Sequence, residues 1–260
     1  MAIITLTSDW GTTDYYTAAV KGVILSQLPN AVIVDVTHEI EHFNVTQAGF
    51  ILRNCFRNFP EGTIHIIGVD SIESDVYPHV VVKAYGQYFI STDNGIFSHI
   101  LDDKYDEAFL IDVPQDTGLY TFCTRDRFAK VAVMIAKGEP LSNIGARREH
   151  LNEGRTFQAT VKGSIIDGIV MHIDSYENVI TNIPKTLFDE VGRGRRFVIK
   201  VKGDLYTIDE ISDTYNDVGQ LDPVAVFGSH GYLELALCRR SMASLWGIEK
   251  YSQIQVVFED

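Results

Sequence analysis

The opening part of the chain alternates short apolar runs with segments of helical periodicity, and this alternation limits the folds open to it. Runs rich in β-branched residues predict buried strands at residues 3–6, 31–36 and 63–69. The segments between them predict helices, the first capped by Thr13 or Asp14 and the second covering residues 44–59. Strands that are apolar throughout and alternate with helices are typical of a parallel sheet covered on both faces. We therefore predict an N-terminal mixed α/β domain with a Rossmann-like central sheet.

Later residues add a strand pair and a further helix to this domain. The pair is predicted at residues 80–83 and 88–91, and the helix at residues 125–137. Residues 138–152 contain Pro, Gly and Arg and are interpreted as a linker. We accordingly expect an α/β domain over residues 1–150 and a second domain over residues 151–260.

The second domain has a different pattern, in which short strands are separated by Gly, Asp and Asn. The predicted strands are residues 157–161, 164–174, 197–201, 205–208, 224–227, 233–237 and 254–258. This spacing predicts a small antiparallel β-barrel or sandwich, and we expect the barrel. The basic run at residues 193–196 is interpreted as a solvated hairpin tip between Leu187 and Phe197.

The composition indicates a globular protein that binds a small molecule. A net charge of -13 over 260 residues argues against nucleic-acid and anionic-membrane partners, which reward clustered Lys and Arg. Cys55, Cys123 and Cys238 are far apart and form no disulfide or zinc pattern, and the histidines lack metal-binding spacing, so we expect no metal. The sequence enters a strand without a signal segment, and no apolar run is long enough to span a bilayer. We expect a cytoplasmic protein.

Two carboxylates follow the first predicted strand. Asp9 and Asp14 lie beyond its carboxyl end, where ligands bind in open α/β sheets. Such a carboxylate accepts ribose hydroxyls or an ammonium group, whereas the loop lacks the glycines that cradle a pyrophosphate. The alternative is structural, with Asp9 capping a turn and Asp14 capping the helix.

Several separated motifs occur in one known family. They are TSDWGTTDYY at 7–16, IVDVTHEI at 33–40, TDNG at 92–95, DSYENVITNI at 174–183 and FGSHGYLELA at 227–236. Together they resemble the S-adenosyl-L-methionine hydroxide adenosyltransferases, a family that also contains fluorinating and chlorinating enzymes. The resemblance implies an α/β domain, a β-barrel domain and a homotrimer with its sites at subunit interfaces. It also implies S-adenosylmethionine as substrate, with no cofactor.

The resemblance further implies a reaction, in which a nucleophile attacks the ribose C5′ of S-adenosylmethionine and expels methionine. With water, the other product is adenosine. Asp9 is then expected to accept the ribose hydroxyls, Asp14 to pair with the methionine ammonium, and Phe43 to pack on the ribose or thioether. The remaining positions implied to bind substrate are Trp10, Asn94, Thr124, Asp174, Asn178, Ser229 and Tyr232. Asp174 and Asn178 match positions that bind the methionine end. Ser229 and Tyr232 lie in the segment expected around adenine. Structural alternatives are that Phe43 staples the next helix and that Asn178 only holds a turn.

The sequence departs from the family at the groups that activate water. Hydrolytic members use Asp and Arg from a V-D-P-G-V-G-T-x-R-R loop and His from an F-H-G-R-D segment. Here Asp70 is kept, but Tyr77 stands at the Arg position and Cys123 at the His position. Either His79 substitutes or a Cys123 thiolate orients water beside Arg125. Otherwise the protein is a slow or non-catalytic sensor that binds S-adenosylmethionine or adenosine.

A different nucleophile is the remaining possibility. Thr124 stands where a halogenating member has a hydroxyl residue, but Asp70, Glu73 and Asp75 would repel a desolvated halide. The basic pair Arg239 and Arg240 also departs from the small residues usual near the family's adenine pocket, where it would clash with the base, stack on it or point outward.

Overall fold

The computed structural model describes residues 1–115 and 118–259. The chain divides into two compact units, Met1–Arg155 and Thr156–Asp260. The first unit is an α/β structure and the second is built almost entirely of strands. This is the fold class predicted from the sequence.

The first unit contains a six-stranded mixed sheet. Its strands are β1 (Ile3–Ser8), β2 (Val32–Thr37), β3 (Ile64–Gly68), β4 (His79–Ala84), β5 (Gln87–Thr92) and β6 (Glu107–Leu110). They lie in the order β2-β1-β3-β5-β4-β6, with β2, β1, β3 and β5 parallel. Strand β4 runs antiparallel to β5 and β6 and forms the predicted pair with β5. The parallel strands therefore end at one common edge.

Helices cover both faces of this sheet: α1 (Tyr16–Gln27), α2 (Val45–Arg53), α3 (Ile96–Leu101) and α4 (Ala129–Ala136). Alternate strand residues enter two apolar clusters, one shared with α1 and α4 and the other with α2 and α3. Ile66 belongs to the first cluster and Ile67 to the second. Burial on both faces explains why these strands are apolar throughout.

Three helix boundaries differ from the sequence prediction. Helix α1 has no side-chain cap, because Tyr15 takes the capping position in a helical conformation, so the predicted cap by Thr13 or Asp14 is wrong. Helix α2 is capped by Asn44 but ends at Arg53, and a short 3-10 turn, Phe56–Asn58, follows as Phe56 enters the core. Helix α4 is preceded by a π-helical turn, Thr124–Phe128.

Part of the expected linker packs against the first unit. The carboxylate of Asp93, which is fully buried, accepts hydrogen bonds from Arg148 Nε at 2.8 Å and from Asn152 N–H at 2.9 Å. The Asn152 side chain also donates to the backbone oxygens of Asp93 and Val76. Residues 148–152 are thereby fixed to the end of β5.

The second unit is an eight-stranded antiparallel sheet that nearly closes into a barrel. Its strands are β7 (Thr160–Lys162), β8 (Ile165–Ile173), β9 (Val179–Pro184), β10 (Phe197–Val201), β11 (Tyr206–Ile208), β12 (Pro223–Phe227), β13 (Tyr232–Leu237) and β14 (Gln253–Phe258). The order is β11-β10-β14-β8-β9-β13-β12, with β7 beside β8. Ser212 N–H donates to Ala225 O at 2.8 Å and so joins the segment after β11 to β12. The predicted antiparallel barrel is confirmed.

The second unit also contains two helices that the sequence analysis did not predict, α5 (Lys185–Gly192) and α6 (Met242–Trp246). Helix α5 ends at Arg193, which takes a left-handed conformation with φ 50°, and the chain then enters β10. The basic run therefore joins a helix to a strand, and the predicted hairpin tip is wrong.

Candidate functional site

Asp9 follows β1 at the common edge of the parallel strands. It is only 8% exposed, and its Oδ2 accepts a hydrogen bond from Phe43 N–H at 2.9 Å. Phe43 has a left-handed backbone with φ 65°, and its side chain is 67% exposed. Within residues 1–115 and 118–259, no other hydrogen bond to the Asp9 carboxylate is formed. Its second oxygen can therefore accept from a ligand.

His38 joins the loops that follow β1 and β2. Its Nδ1 hydrogen-bonds Ser8 Oγ at 2.6 Å, and its backbone oxygen accepts from Gly11 N–H at 2.7 Å. Its Nε2 lies 3.1 Å from Asp35 Oδ1. These contacts hold the chain on both sides of Asp9.

The indole of Trp10, the residue after Asp9, is packed among neighbouring side chains. Its indole stacks on His38 with a centroid distance of 6.3 Å and meets the Phe122 ring edge-on at 5.5 Å. A Cβ placed on Gly68 would lie 2.4 Å from Trp10 Cζ2, so the indole occupies space that only glycine leaves free. The end of β3 and the residue after Asp9 are thus packed together.

Asp70 follows the end of the neighbouring strand, β3, at the same edge of the sheet. Ser8 of β1 pairs with Gly68 of β3 in parallel register, so Asp9 and Asp70 follow adjacent strand ends. Asp70 has a left-handed backbone with φ 45°, a conformation that costs a residue with a Cβ about 1–2 kcal/mol. Asn94 Nδ2 donates to the Asp70 backbone oxygen at 3.1 Å and helps to hold it.

The next backbone oxygen receives two side-chain hydrogen bonds. Ser71 O accepts from His79 Nε2 at 3.0 Å and from Cys123 Sγ at 2.9 Å. Burial raises the pKa of the Cys123 thiol, although hydrogen bonds to Ser71 and to the Thr124 backbone oppose this. The thiolate considered in the sequence analysis is therefore disfavoured, and the thiol acts as a donor to the backbone.

His79 is nearly fully buried, and burial lowers its pKa, so it is neutral near pH 7. Its Nδ1 lies 3.1 Å from Arg127 Nη1, which fits a tautomer with hydrogen on Nε2. The same guanidinium pairs with Glu73. Glu73 is one of three carboxylates that were expected to repel a halide, and the ion pair with Arg127 compensates its negative charge. Within the described residues, Asp70 and Asp75 form no ion pair.

Arg125 is held by its own neighbour. Its Nε and Nη2 donate to the two oxygens of Asp126 at 2.6 and 2.8 Å, and its guanidinium lies 5.3 Å from the Phe122 ring centroid. The carboxylate of Asp126 therefore fixes the guanidinium of Arg125 through two of its N–H groups.

Buried polar atoms without hydrogen-bond partners occur near the strand ends. Across the described parts of the chain, Thr124 Oγ1 and Asn94 Oδ1 are buried and form no hydrogen bond. Thr124 lies against the end of β3, because a Cβ on Gly68 would be 3.1 Å from its Oγ1. Buried polar atoms without partners mark positions where water or a ligand atom completes the structure.

Two other residues from the resemblance are exposed. Asp14 lies in the loop before α1, and the Tyr77 side chain is 47% exposed. The Tyr77 backbone closes a local turn by donating to Ser74 Oγ at 3.0 Å. Within the described residues, neither side chain forms a hydrogen bond with Asp70 or Cys123.

In the second unit, Asp174 and Asn178 form one turn. Asp174 Oδ1 accepts from the backbone N–H groups of Tyr176 and Asn178 at 2.9 and 2.8 Å, and Oδ2 accepts from Asn178 Nδ2 at 3.2 Å. Glu177, and not Asn178, takes the left-handed conformation of this turn. The two predicted residues are therefore brought together, with the carboxylate partly used by its own backbone.

Glu234 was missed in the sequence analysis. It is 4% exposed in β13, where Oε1 accepts from Tyr215 OH at 2.6 Å and Oε2 lies 3.0 Å from His230 Nε2. Burial alone would raise the pKa of Glu234, but hydrogen bonds from His230 and Tyr215 bring it below its usual value. The available signal was an acidic residue inside an apolar strand, since a buried charge requires partners.

Ser229 lies on the turn between β12 and β13, and Tyr232 begins β13. Ser229 is exposed and Tyr232 is half-buried, with its N–H donating to His230 Nδ1 at 3.1 Å. Arg239 and Arg240 are exposed at the other end of β13, and Arg239 has φ 61°.

A cleft of about 750 Å³ lies beside α5 in the same unit. Its lining includes Phe188, Phe197, Phe227 and Phe258, together with Gly228 and Gly231 of the turn that carries Ser229. Asp174 and Asn178 are not among its lining residues, so the cleft is separate from their turn.

The described residues contain no cluster of three or more His, Cys, Asp or Glu side chains arranged to hold a metal ion. Among the same residues, no helix has the length and hydropathy needed to cross a bilayer.

Comparison with known proteins identifies the family. Residues 4–145 match the model of the SAM hydroxide adenosyltransferase N-terminal domain, and residues 168–255 match that of the C-terminal domain. The chain belongs to the SAM hydroxide adenosyltransferase family. The resemblance based on short motifs is thereby confirmed.

Relatives of this adenosyltransferase-family chain carry two kinds of name. An (R)-S-adenosyl-L-methionine hydrolase of Methanocaldococcus jannaschii is 28% identical, over 98% of this chain and 96% of its own length. A fluorinase of Actinoplanes sp. is also 28% identical, over 90% of both chains. Among solved structures, an uncharacterized conserved protein from Thermotoga maritima has a TM-score of 0.88 at 27% identity and covers 98% of this chain and 99% of its own. Family and fold are therefore shared along nearly the whole chain.

Proposed function

We propose that the protein binds S-adenosyl-L-methionine and hydrolyses it to adenosine and L-methionine, by attack of water at ribose C5′. Family membership supports the substrate, and so does the (R)-S-adenosyl-L-methionine hydrolase named among its relatives. The observation that carries the proposal is the parallel pairing of Ser8 with Gly68, which puts the carboxylates of Asp9 and Asp70 after adjacent strand ends. One carboxylate can hold the sugar while the other handles the proton of the nucleophile.

The substrate is held mainly through groups that complement its hydroxyls and charges. Asp9 accepts the ribose hydroxyls through the oxygen that Phe43 N–H does not occupy, and Asp14 pairs with the methionine ammonium. Phe43 packs on the ribose or thioether, and Trp10 lines the substrate site. In the second unit of a neighbouring subunit, Asp174 and Asn178 bind the methionine end, while Ser229 and Tyr232 contact adenine.

The reaction forms a C5′–O bond and breaks the C5′–S bond, whose electron pair goes to sulfur and neutralises the sulfonium. The proton of water passes to the Asp70 carboxylate and then to solvent. Free water has a pKa of about 15.7, so a carboxylate at this position assists the attack. Thr124 Oγ1 and Asn94 Oδ1, which are buried without partners in the described residues, are suited to orient that water.

Binding without rapid turnover is the second candidate. It is favoured by the contacts of Cys123 with Ser71 and of Arg125 with Asp126, since both side chains are engaged elsewhere. Tyr77 is exposed, and its phenol lacks the guanidinium that the family resemblance implies at this position. A protein of this kind would be a slow enzyme or a sensor of S-adenosylmethionine or adenosine.

One assay separates the two candidates. Purified protein is incubated with S-adenosylmethionine, and adenosine is measured by chromatography. Adenosine formation that is lost in Asp70→Ala and kept in Asp75→Ala supports hydrolysis, because Asp75 is an exposed carboxylate of the same loop. Tight binding without adenosine would support the sensor instead.

We also propose a cytoplasmic homotrimer with its sites at subunit interfaces. Large apolar side chains near the strand-end site are exposed in the single chain, among them Tyr15 at 65%, Phe43 at 67% and Ile72 at 76%. Burial of such a surface favours association. Light scattering should give three times the chain mass of 29.2 kDa, and a monomer would contradict this proposal.

A further inference from the structure

The segment after β3 is held by side chains distant in sequence. Asp70 has a left-handed backbone, and three side-chain donors reach the backbone oxygens of Asp70 and Ser71. Cys123 lies 52 positions from Ser71 along the chain, and its 2.9 Å contact joins this segment to the π-helical turn before α4. Strained backbone persists at functional sites where surrounding contacts determine it.

His79 is itself oriented before it donates. The His79 ring is 1% exposed and meets the Phe128 ring edge-on at 4.7 Å, which fixes its plane. Arg127 Nη1 lies 3.1 Å from His79 Nδ1, so the opposite nitrogen, Nε2, carries the hydrogen that reaches Ser71 O. The guanidinium is anchored in turn by Ile111 O and Glu73.

Cys123 and His79 have no hydrogen left to donate to a reacting water. The Sγ of Cys123 and the Nε2 of His79 share one acceptor, the Ser71 backbone oxygen. A thiol has a single hydrogen to donate, and a neutral imidazole likewise has a single N–H. Both groups therefore act on the backbone that carries Asp70.

We propose that Cys123 and His79 are positioning residues, which fix the Asp70 carboxylate by hydrogen-bonding the Ser71 backbone oxygen. This inference rests on the proposed function, in which Asp70 receives the proton of water. It assigns Cys123 an indirect role at the position where the family resemblance implies a histidine in contact with water. Asp9, which holds the ribose, is attached to Phe43 and does not depend on these donors.

The test compares variants that keep or remove each donor. Cys123→Ser and His79→Gln retain a hydrogen-bond donor, whereas Cys123→Ala and His79→Leu remove it and leave an uncharged side chain in the buried space. Removal should lower kcat for adenosine formation by about 10- to 100-fold, which is a common effect of losing hydrogen bonds that orient a catalytic group. KM should stay within about twofold, because ribose binding is unchanged. The donor-keeping variants should recover most of kcat.

Amide hydrogen exchange supplies a readout that does not depend on turnover. Backbone amides of residues 71–75 should exchange faster in Cys123→Ala and His79→Leu than in the wild type, and the donor-keeping variants should lie between them. Circular dichroism identifies any variant that fails to fold. Equal exchange in all folded variants, or equal loss of kcat in Ser and Ala variants, would overturn the inference. If the wild type forms no adenosine, the proposed hydrolysis fails, while exchange still decides whether the backbone is held in this way.

Discussion

The Asp9 carboxylate accepts a hydrogen bond from the backbone N–H of Phe43 at 2.9 Å. This contact joins the loops that follow β1 and β2 at the carboxyl edge of the sheet. It orients one carboxylate oxygen toward the protein, which leaves the other for a ligand. Preorganised acceptors of this kind lower the entropy cost of binding a diol.

Replacing Asp9 should weaken nucleoside binding. Loss of a charged acceptor for hydroxyl groups costs about 1–3 kcal/mol, so Asp9→Ala should raise the Kd for adenosine about 5- to 150-fold in calorimetry. Glu39→Ala is the matched control, because Glu39 is an exposed carboxylate on a nearby loop. Unchanged affinity in Asp9→Ala would remove Asp9 from the site.

The buried imidazole of His65 should make stability depend on pH. His65 accepts from Thr5 Oγ1 at Nδ1, 2.7 Å away, and donates through Nε2 to Gln87 Oε1 at 2.9 Å. Burial lowers its pKa from 6.5 to about 4. Between these values the unfolded chain binds more protons than the folded one, so the free energy of unfolding rises with pH from 4 to 6.5.

The difference of roughly 2.5 pKa units corresponds to about 3 kcal/mol in total. Urea denaturation of wild type and His65→Gln at about pH 4.5, 5.5 and 7 tests this, since these values cover most of the range in which the proton binding of the two states differs. The stability difference between the two proteins should shift in favour of the variant as pH falls. Parallel pH curves would contradict a neutral His65 in the folded state.

The core of the first unit should respond to side-chain truncation according to burial. Ile90 in β5 is fully buried, whereas Ile72 in the loop after β3 is 76% exposed. Ile90→Ala should lower the free energy of unfolding by about 2–5 kcal/mol, and Ile72→Ala by less than about 0.5 kcal/mol. Urea denaturation measures both, and equal effects would mean that Ile90 is not buried in the core.

The hydrogen bond between Tyr215 and Glu234 should stabilise the second unit. Tyr215→Phe removes the donor to a buried carboxylate, although Tyr215 itself is 42% exposed and water can replace part of the contact. We expect a loss of about 1–2 kcal/mol in thermal or urea unfolding. Tyr176→Phe is the control, because Tyr176 is 77% exposed. Equal stability of the two variants would show that the Tyr215 hydroxyl contributes nothing.

The sequence was informative where local chemistry decides structure. Apolar, β-branched runs predicted β1, β2 and β3 to within a few residues, because parallel strands buried on both faces need that composition. The position of Asp9 and Asp70 after strand ends followed from the same pattern. The barrel was predicted because short strands alternate with turn residues.

Other features depend on contacts between distant residues. The left-handed backbone of Asp70 and the contact of Cys123 with Ser71 O could not be read from local sequence, because they arise only when the π-helical turn packs near β3. The same holds for Glu234, whose partner Tyr215 lies in an irregular segment. Helix α5 was missed because it starts directly after β9 without a polar capping residue.

The absence of a side chain at Gly68 has a consequence for directed evolution. Trp10 fills the volume that even a methyl group would need at that strand terminus. Randomised libraries aimed at new nucleophiles should therefore vary the exposed residues 72–77 and leave position 68 unchanged. Diversity at position 68 would mostly yield misfolded clones, whereas diversity in 72–77 explores chemistry on an intact scaffold.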